Sequence, residues 1–220
     1  MISTSNSRTA FALCLTLILV FFLLPAILNV GCAPQVPVTQ PPESQPPESQ
    51  SPESPTLPAS QPVKWSADGV ITDGEYIKTK AFGDYEIYWT SDEQYIYIGM
   101  KAKTGGWLAV GMQPGITMKD ADMVLGFVRD GKTTVSDHFS TGSYGPHSPD
   151  TELGGTDDIL EFGGREADSY TVMEFKRLLN TGDKYDLPVS RGINKIIWSY
   201  GLDDQSERKH VSRGYGEIDL

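Results

Sequence analysis

Residues 106–131 read GWLAVGMQPGITMKDADMVLGFVRDG. Trp107, Ala109 and Gly111 alternate with Leu108, Val110 and Met112, and Met123 to Val128 is a short apolar run, so both ends predict β-strands. Between them Gln113 to Asp120 is turn-rich, with one proline, one glycine and one methionine, Met118. A flexible thioether on a loop between two buried strands has two readings. It is gap-filling packing, or it is a soft ligand presented to a metal.

Strand patterns extend outward on both sides. Tyr85 to Trp89 and Tyr95 to Met100 are β-rich runs joined by Ser91-Asp92-Glu93-Gln94, a hairpin turn by composition. Further strands are expected at 106–112, 122–129, 133–139, 170–175, 194–200 and 215–220, and Asp130-Gly131 is a strong hairpin signal. Helical periodicity is confined to one short turn at Phe175–Leu179. The stretch Thr141–Asp168, rich in Gly, Asp, Ser and Pro, reads as loops with one short strand at Ile159–Phe162. Many short strands without covering helices predict an all-β antiparallel sandwich. Strand alternation points Met112 and Met123 into its core, with Trp107.

The 158 residues of Val63–Leu220 suffice for one core of ordinary size and hold all four tryptophans and all ten tyrosines. Ahead of them, Ala33 to Pro62 has ten prolines and three near-repeats, PPESQ, PPESQ and SPESP. Such a tract buries too little apolar surface to offset its chain entropy. We read residues 32–62 as a disordered tether, reaching roughly 90 Å if extended at about 3.1 Å per residue. Residues 1–31 read as an export signal: Ala10 to Leu28 is apolar except for Thr16 and Pro25, and the only charge is Arg8. The segment ends in Leu28-Asn29-Val30-Gly31-Cys32, which resembles the lipobox of bacterial lipoproteins, with Asn29 where leucine is usual. The resemblance implies lipidation at Cys32. Nineteen apolar residues also suffice for an uncleaved transmembrane anchor. Either reading exports the body and holds it at a membrane.

Composition excludes several chemistries. The only cysteines are Cys14 and Cys32, so the body has no disulfide, no thiolate metal site and no cysteine nucleophile. The formal net charge is −11, and −12 once residues 1–31 and their one charge, Arg8, are removed. An acidic chain argues against nucleic acid or anionic lipid headgroups as partners. The three histidines, His138, His147 and His210, do not form a zinc-type pair, and no Walker loop, dinucleotide fingerprint or G-x-S-x-G elbow occurs. Asp157-Asp158 and Asp203-Asp204 lack calcium-loop spacing and read as solvated turns. No catalytic constellation emerges, and an enzymatic activity of its own is the least expected reading.

The combination of W-x-A-V-G at 107–111, A-D-M-V at 121–124, G-G-T-D-D at 154–158 and H-x-x-R-G at 210–214 resembles the DOMON domain family. These are immunoglobulin-like sandwiches found in cytochrome b-type electron-transfer proteins and in sugar- or haem-binding modules. In the haem-binding branch a b-type haem sits at one end of the sandwich. A methionine from the loop after the G-W strand and a histidine near the C-terminus are its axial ligands. By position these are Met118 and His210. The resemblance thus implies haem b, Met/His ligation, a raised reduction potential and electron transfer to a redox partner protein. Lysine replaces the histidine in some relatives, so Lys209 stays open as the ligand, as does His147 in its Gly-Pro loop. The alternative is a carbohydrate- or other ligand-binding module without haem, with Trp65, Trp107, Tyr144 and Tyr215 as stacking surfaces.

Overall fold

The computed structural model describes residues 64–220. The apolar N-terminal segment, Cys32 and the proline-rich tract lie outside the described residues.

Among the described residues, eleven strands form two antiparallel sheets. The five-stranded sheet is ordered β1 (Lys78–Phe82), β2 (Tyr85–Ser91), β3 (Tyr95–Ala102), β9 (Tyr170–Leu178), β8 (Glu161–Ala167). The six-stranded sheet is ordered β11 (Ser212–Asp219), β10 (Ile193–Tyr200), β4 (Leu108–Met112), β5 (Asp122–Arg129), β6 (Lys132–Ser140), β7 (His147–Pro149). A four-residue helix, α1 (Asp150–Leu153), follows β7. This is the antiparallel sandwich that the strand pattern predicts.

Alternation builds the core. Tyr85, Ile87 and Trp89 of β2, Ile96, Ile98 and Met100 of β3, and Met173 and Phe175 of β9 meet Leu108, Val110, Met112, Val124, Val128, Ile196 and Trp198 of the other sheet. Fully burying a side chain of this size contributes roughly 1.5–3 kcal/mol. The Trp198 indole stacks on Phe82 and Tyr85 at 5.5 and 5.1 Å. Both anticipated hairpins form. Asp92 Oδ1 accepts from the Gln94 and Tyr95 amides, each at 2.8 Å. Asp130 and Gly131 take φ of +53° and +72°, the left-handed pair that a two-residue turn needs.

Three expectations need correction. Phe175–Leu179 is not a helical turn: residues 175–178 continue β9. Arg177 interrupts the apolar alternation of this stretch, yet its guanidinium is buried between the sheets. Thr141–Asp168 holds more structure than loops, since it contains β7, α1 and the seven-residue β8. The β8 sequence, EFGGREA, carries two glycines and three charges, yet an edge strand needs only backbone pairing, here with β9 from Glu161↔Lys176 to Ala167↔Tyr170. Met123 is buried, but on the outward face of its sheet. β5 is apolar on both faces, so alternation could not choose between them.

Gly201 sets the geometry at one end of the six-stranded sheet. Its amide donates to the Trp107 carbonyl at 2.9 Å. A Cβ there would lie 2.6 Å from Trp107 Cδ1. Gly201→Ala is therefore expected to cost about 1–3 kcal/mol through overpacking. Gly105→Ala, with nothing within 4 Å of the new methyl, should be near neutral. Urea denaturation of the two variants checks the contrast.

Candidate functional site

Strand register composes a floor on the outward face of the six-stranded sheet. One row runs Tyr215–Ile197–Gly111–Met123–His138 across β11, β10, β4, β5 and β6. The neighbouring row runs Arg213–Ser199–Ala109–Leu125–Ser136 across the same strands. All ten residues line one cavity of about 1080 Å³. Small-molecule and cofactor sites span roughly 300–1,000 Å³, so this one is large enough for a bulky organic group. The two rows explain why β4 and β5 read as continuous apolar runs. One face packs into the core and the other makes this floor.

Three loops wall the cavity. Residues 113–121, between β4 and β5, carry Met118 at a half-buried turn position. That loop is tightly tied: Gly115 N donates to Lys119 O at 2.7 Å, Ala121 N to Met118 O at 3.1 Å and Asp120 N to Ser140 O at 2.8 Å. Thr117 takes φ of +59°, uncommon for a β-branched residue, and its hydroxyl donates to the Ser143 carbonyl. This bond joins the Met118 loop to the second wall, Tyr144 to Pro149. The third wall is the β10–β11 loop, of which Ser206 to His210 line the cavity. Its base is held by Trp107 N donating to Asp203 O at 3.2 Å, Arg208 Nη1 to Asp203 Oδ2 at 2.6 Å and Val211 N to Tyr200 O at 2.9 Å. Met112 pairs with Ile196 and Leu108 with Tyr200. The loops bearing Met118 and His210 therefore leave the sheet from opposite strand ends and turn over the same face.

Burial depresses all three imidazoles below their ordinary range. For His210, the nearby charges of Arg213 and Lys209 add to that effect. A neutral ring offers a lone pair at neutral pH, which a metal ligand requires. Ser136 Oγ lies 2.8 Å from His138 Nε2, and the His138 and His147 rings stand 5.8 Å apart. His147 Nδ1 is buried without a hydrogen-bond partner. Arg208, Lys209 and Arg213 put three cations on the cavity lining of a strongly acidic chain.

All four ligand candidates from the sequence, Met118, His147, Lys209 and His210, line this one cavity. Cys32 lies outside the described residues. The cavity itself spreads over the sheet face rather than sitting at one end of the sandwich. Two functional-type residues join the set beyond those candidates. Met123 adds a second thioether to the floor, and His138 a third imidazole. Among the aromatic residues, Trp107 is only 3% exposed, but it packs with Ala109 and Leu125 on the outward face of the sheet, not in the core between the sheets where strand alternation placed it. Tyr144 and Tyr215 are 83% and 63% exposed and flank the cavity. Trp65 lies elsewhere, against Tyr97 and hydrogen-bonded to the Tyr76 hydroxyl.

The DOMON domain family matches residues 81–201. Among curated proteins, the chain is 28% identical over 149 residues to MOXD1 homolog 1 of Drosophila melanogaster, covering 62% of this chain and 20% of that protein. It is 29% identical over 128 residues to DBH-like monooxygenase protein 1 of Mus musculus, covering 57% of this chain and 20% of that protein. The chain thus spans about a fifth of the length of these relatives. Two solved structures are similar at 12% identity. The cytochrome domain of Myriococcum thermophilum cellobiose dehydrogenase has a TM-score of 0.49, covering 64% of this chain and 81% of that one. The cytochrome b domain of pyranose dehydrogenase from Coprinopsis cinerea has a TM-score of 0.46, covering 61% and 75%.

Proposed function

The chain belongs to the DOMON domain family, and from that premise we propose that its cavity holds a b-type haem between Met118 and His210 and that the domain transfers single electrons. One observation carries the reading. Two soft or borderline donors 92 positions apart in sequence, on loops from opposite strand ends, line one cavity. The remaining lining suits the same group. The floor of Ala109, Gly111, Met123, Leu125 and Ile197 is apolar and keeps water from a flat ring. Arg213 and Lys209, both near His210, supply cations for acidic substituents on its edge. Met118 and His210 would hold the haem, which would supply one-electron chemistry at this site. The chain's own part is to hold a thioether and a neutral imidazole in place and to exclude solvent.

We place the domain outside the cytoplasm, tethered to a membrane through Cys32 or the apolar segment before it, where it meets a redox partner protein. The supporting observations are sequence features outside the described residues. A second reading has one observation in its favour: the exposed rings of Tyr144 and Tyr215 flank the cavity as sugar-stacking residues would. An absorption spectrum decides between them. Full-length protein produced with haem available is expected to purify with about one haem per chain and a six-coordinate, low-spin spectrum. Haem-free protein that binds glycans and shows no Soret band after reconstitution would overturn the haem reading.

A further inference from the structure

The most unusual chemistry outside the cavity lies between the sheets, near the ends of β5, β6 and β9. Asp122, Asp137 and Asp186 surround Arg177, and the side chains of all four are at most 2% exposed. Asp150, at the start of α1, is 1% exposed, and the charges of Asp186 and Asp122 act on it. Three carboxylates therefore share one guanidinium with a fourth nearby, a formal charge of −3 in the buried interior.

Hydrogen bonding satisfies these groups unequally. Asp122 is fully used: Oδ1 accepts from Arg177 Nη1 at 2.8 Å and Oδ2 from the Leu187 amide at 2.9 Å. Asp137 Oδ2 accepts from the Asp158 amide at 3.3 Å, but its Oδ1, 3.8 Å from Arg177 Nη1, has no hydrogen bond. Neither oxygen of Asp186 makes a hydrogen bond of good geometry, although Oδ2 lies 3.2 Å from Arg177 Nη2 and the Thr181 side chain stands near. Both oxygens of Asp150 are buried and unpartnered. A carboxylate taken from water without partners carries a penalty of several kcal/mol, and native interiors do not accumulate such groups uncompensated.

We propose that this cluster is a cation site, in which Asp137 and Asp186, with Asp122 shared by Arg177, hold one divalent hard cation, calcium by its chemistry, and Asp150 adds its charge from nearby. One carboxylate oxygen from each of Asp122, Asp137 and Asp186 lies within 4.8 Å of the others. Two oxygens each 2.3–2.6 Å from a common ion are at most about twice that apart, so the spacing suits calcium. All the donors are oxygens, with no sulfur or imidazole, which selects against copper and zinc. An enclosed set of protein carboxylates also favours calcium over magnesium, which retains several waters. A divalent ion would reduce the formal charge from −3 to −1. Asp150, on which the charges of Asp186 and Asp122 act, adjoins Pro149, and Pro149 and Glu152 line the cavity. By offsetting that repulsion the ion would steady the cavity wall against the sandwich core, whether or not the cavity takes haem.

Protons are the competing compensation. Burial pushes Asp137 up to about 8, against the pull of Arg177, and Asp150 up to about 7. The experiment separates ion from proton. Full-length protein is purified without added metal, its calcium measured by elemental analysis, and its Tm followed at pH 8 in EDTA and in calcium or magnesium. About one calcium per chain is expected. Calcium at a hundred times its Kd should raise Tm by about 5–10 °C over EDTA, with magnesium less effective. Asp137→Asn and, separately, Asp186→Asn should stay folded and lose that response. Metal-free protein whose Tm is the same in EDTA and calcium overturns the site, as does a full calcium response in both variants. Stability that rises from pH 8 to 5 with no calcium dependence assigns the compensation to protons and also overturns it.

Discussion

Arg177→Met is expected to destabilise the domain by about 3–5 kcal/mol, because it removes a guanidinium from among buried carboxylates and leaves their charge in place. The side chain is 1% exposed and contacts Asp122, Asp137 and Asp186 at 2.8 to 3.8 Å. Domains of this size have total stabilities of about 5–15 kcal/mol, so the variant is expected to be marginal at neutral pH. Arg177→Lys keeps the charge but loses the planar fork that reaches Asp122 and Asp186 together, and should fall between the two. The pH dependence has a definite sign when measured in EDTA. Asp137 and Asp150 are raised above their unfolded values, so between pH 5 and 8 the native state binds more protons than the unfolded chain. Stability then falls as pH rises through that window. Without the guanidinium the slope should steepen, and Arg177→Met should recover part of its loss at pH 5. Urea denaturation at pH 5, 6.5 and 8 measures all three proteins. A loss under about 1 kcal/mol at pH 8 would show that Arg177 is not the counter-charge of this cluster.

The same arginine shows where residue patterns stop being informative. The hairpins at Asp92 and Asp130-Gly131 were legible because turn chemistry is local. The strands around 85–100 and 106–128 were legible because their apolar content is high. β9 was cut short because a buried cation breaks the apolar alternation that signals a strand, and its partners lie 55, 40 and 9 residues away in sequence. β8 was reduced to a fragment, and β1 was not anticipated, because edge strands form through backbone pairing that side chains barely record. The cavity floor was hidden for the opposite reason. A strand apolar on both faces looks the same whether its outer face meets a second layer or a ligand, which is how Met123 was assigned to the core. The aspartate cluster had no local signature, since Asp122, Asp137, Asp150 and Asp186 come from four separate stretches. Met118 and His210 were singled out by family resemblance, and nothing in their immediate neighbours would have selected them.

His210→Ala is expected to weaken haem retention by at least about 100-fold. Replacing even an outer partner of a metal ligand costs roughly 10–100-fold, and His210 is assigned to the iron itself. Met118→Ala should weaken binding less, because the imidazole remains, but it should lower the reduction potential and change the spectrum as the thioether is lost. The cavity contains its own sources of error for this experiment. Met123 sits on the floor, and His147 and Lys209 on the walls, so each is placed to substitute for a missing ligand. A low-spin spectrum surviving in His210→Ala would therefore be followed in His210→Ala/His147→Ala and in His210→Ala/Lys209→Ala. Gly105→Ala is the control for handling, since that methyl meets nothing within 4 Å. Haem titration, spectra and potentiometry on the full-length variants give the result. If Met118→Ala and His210→Ala both bind haem with unchanged affinity, spectrum and potential, the iron is held by other residues and the axial assignment fails.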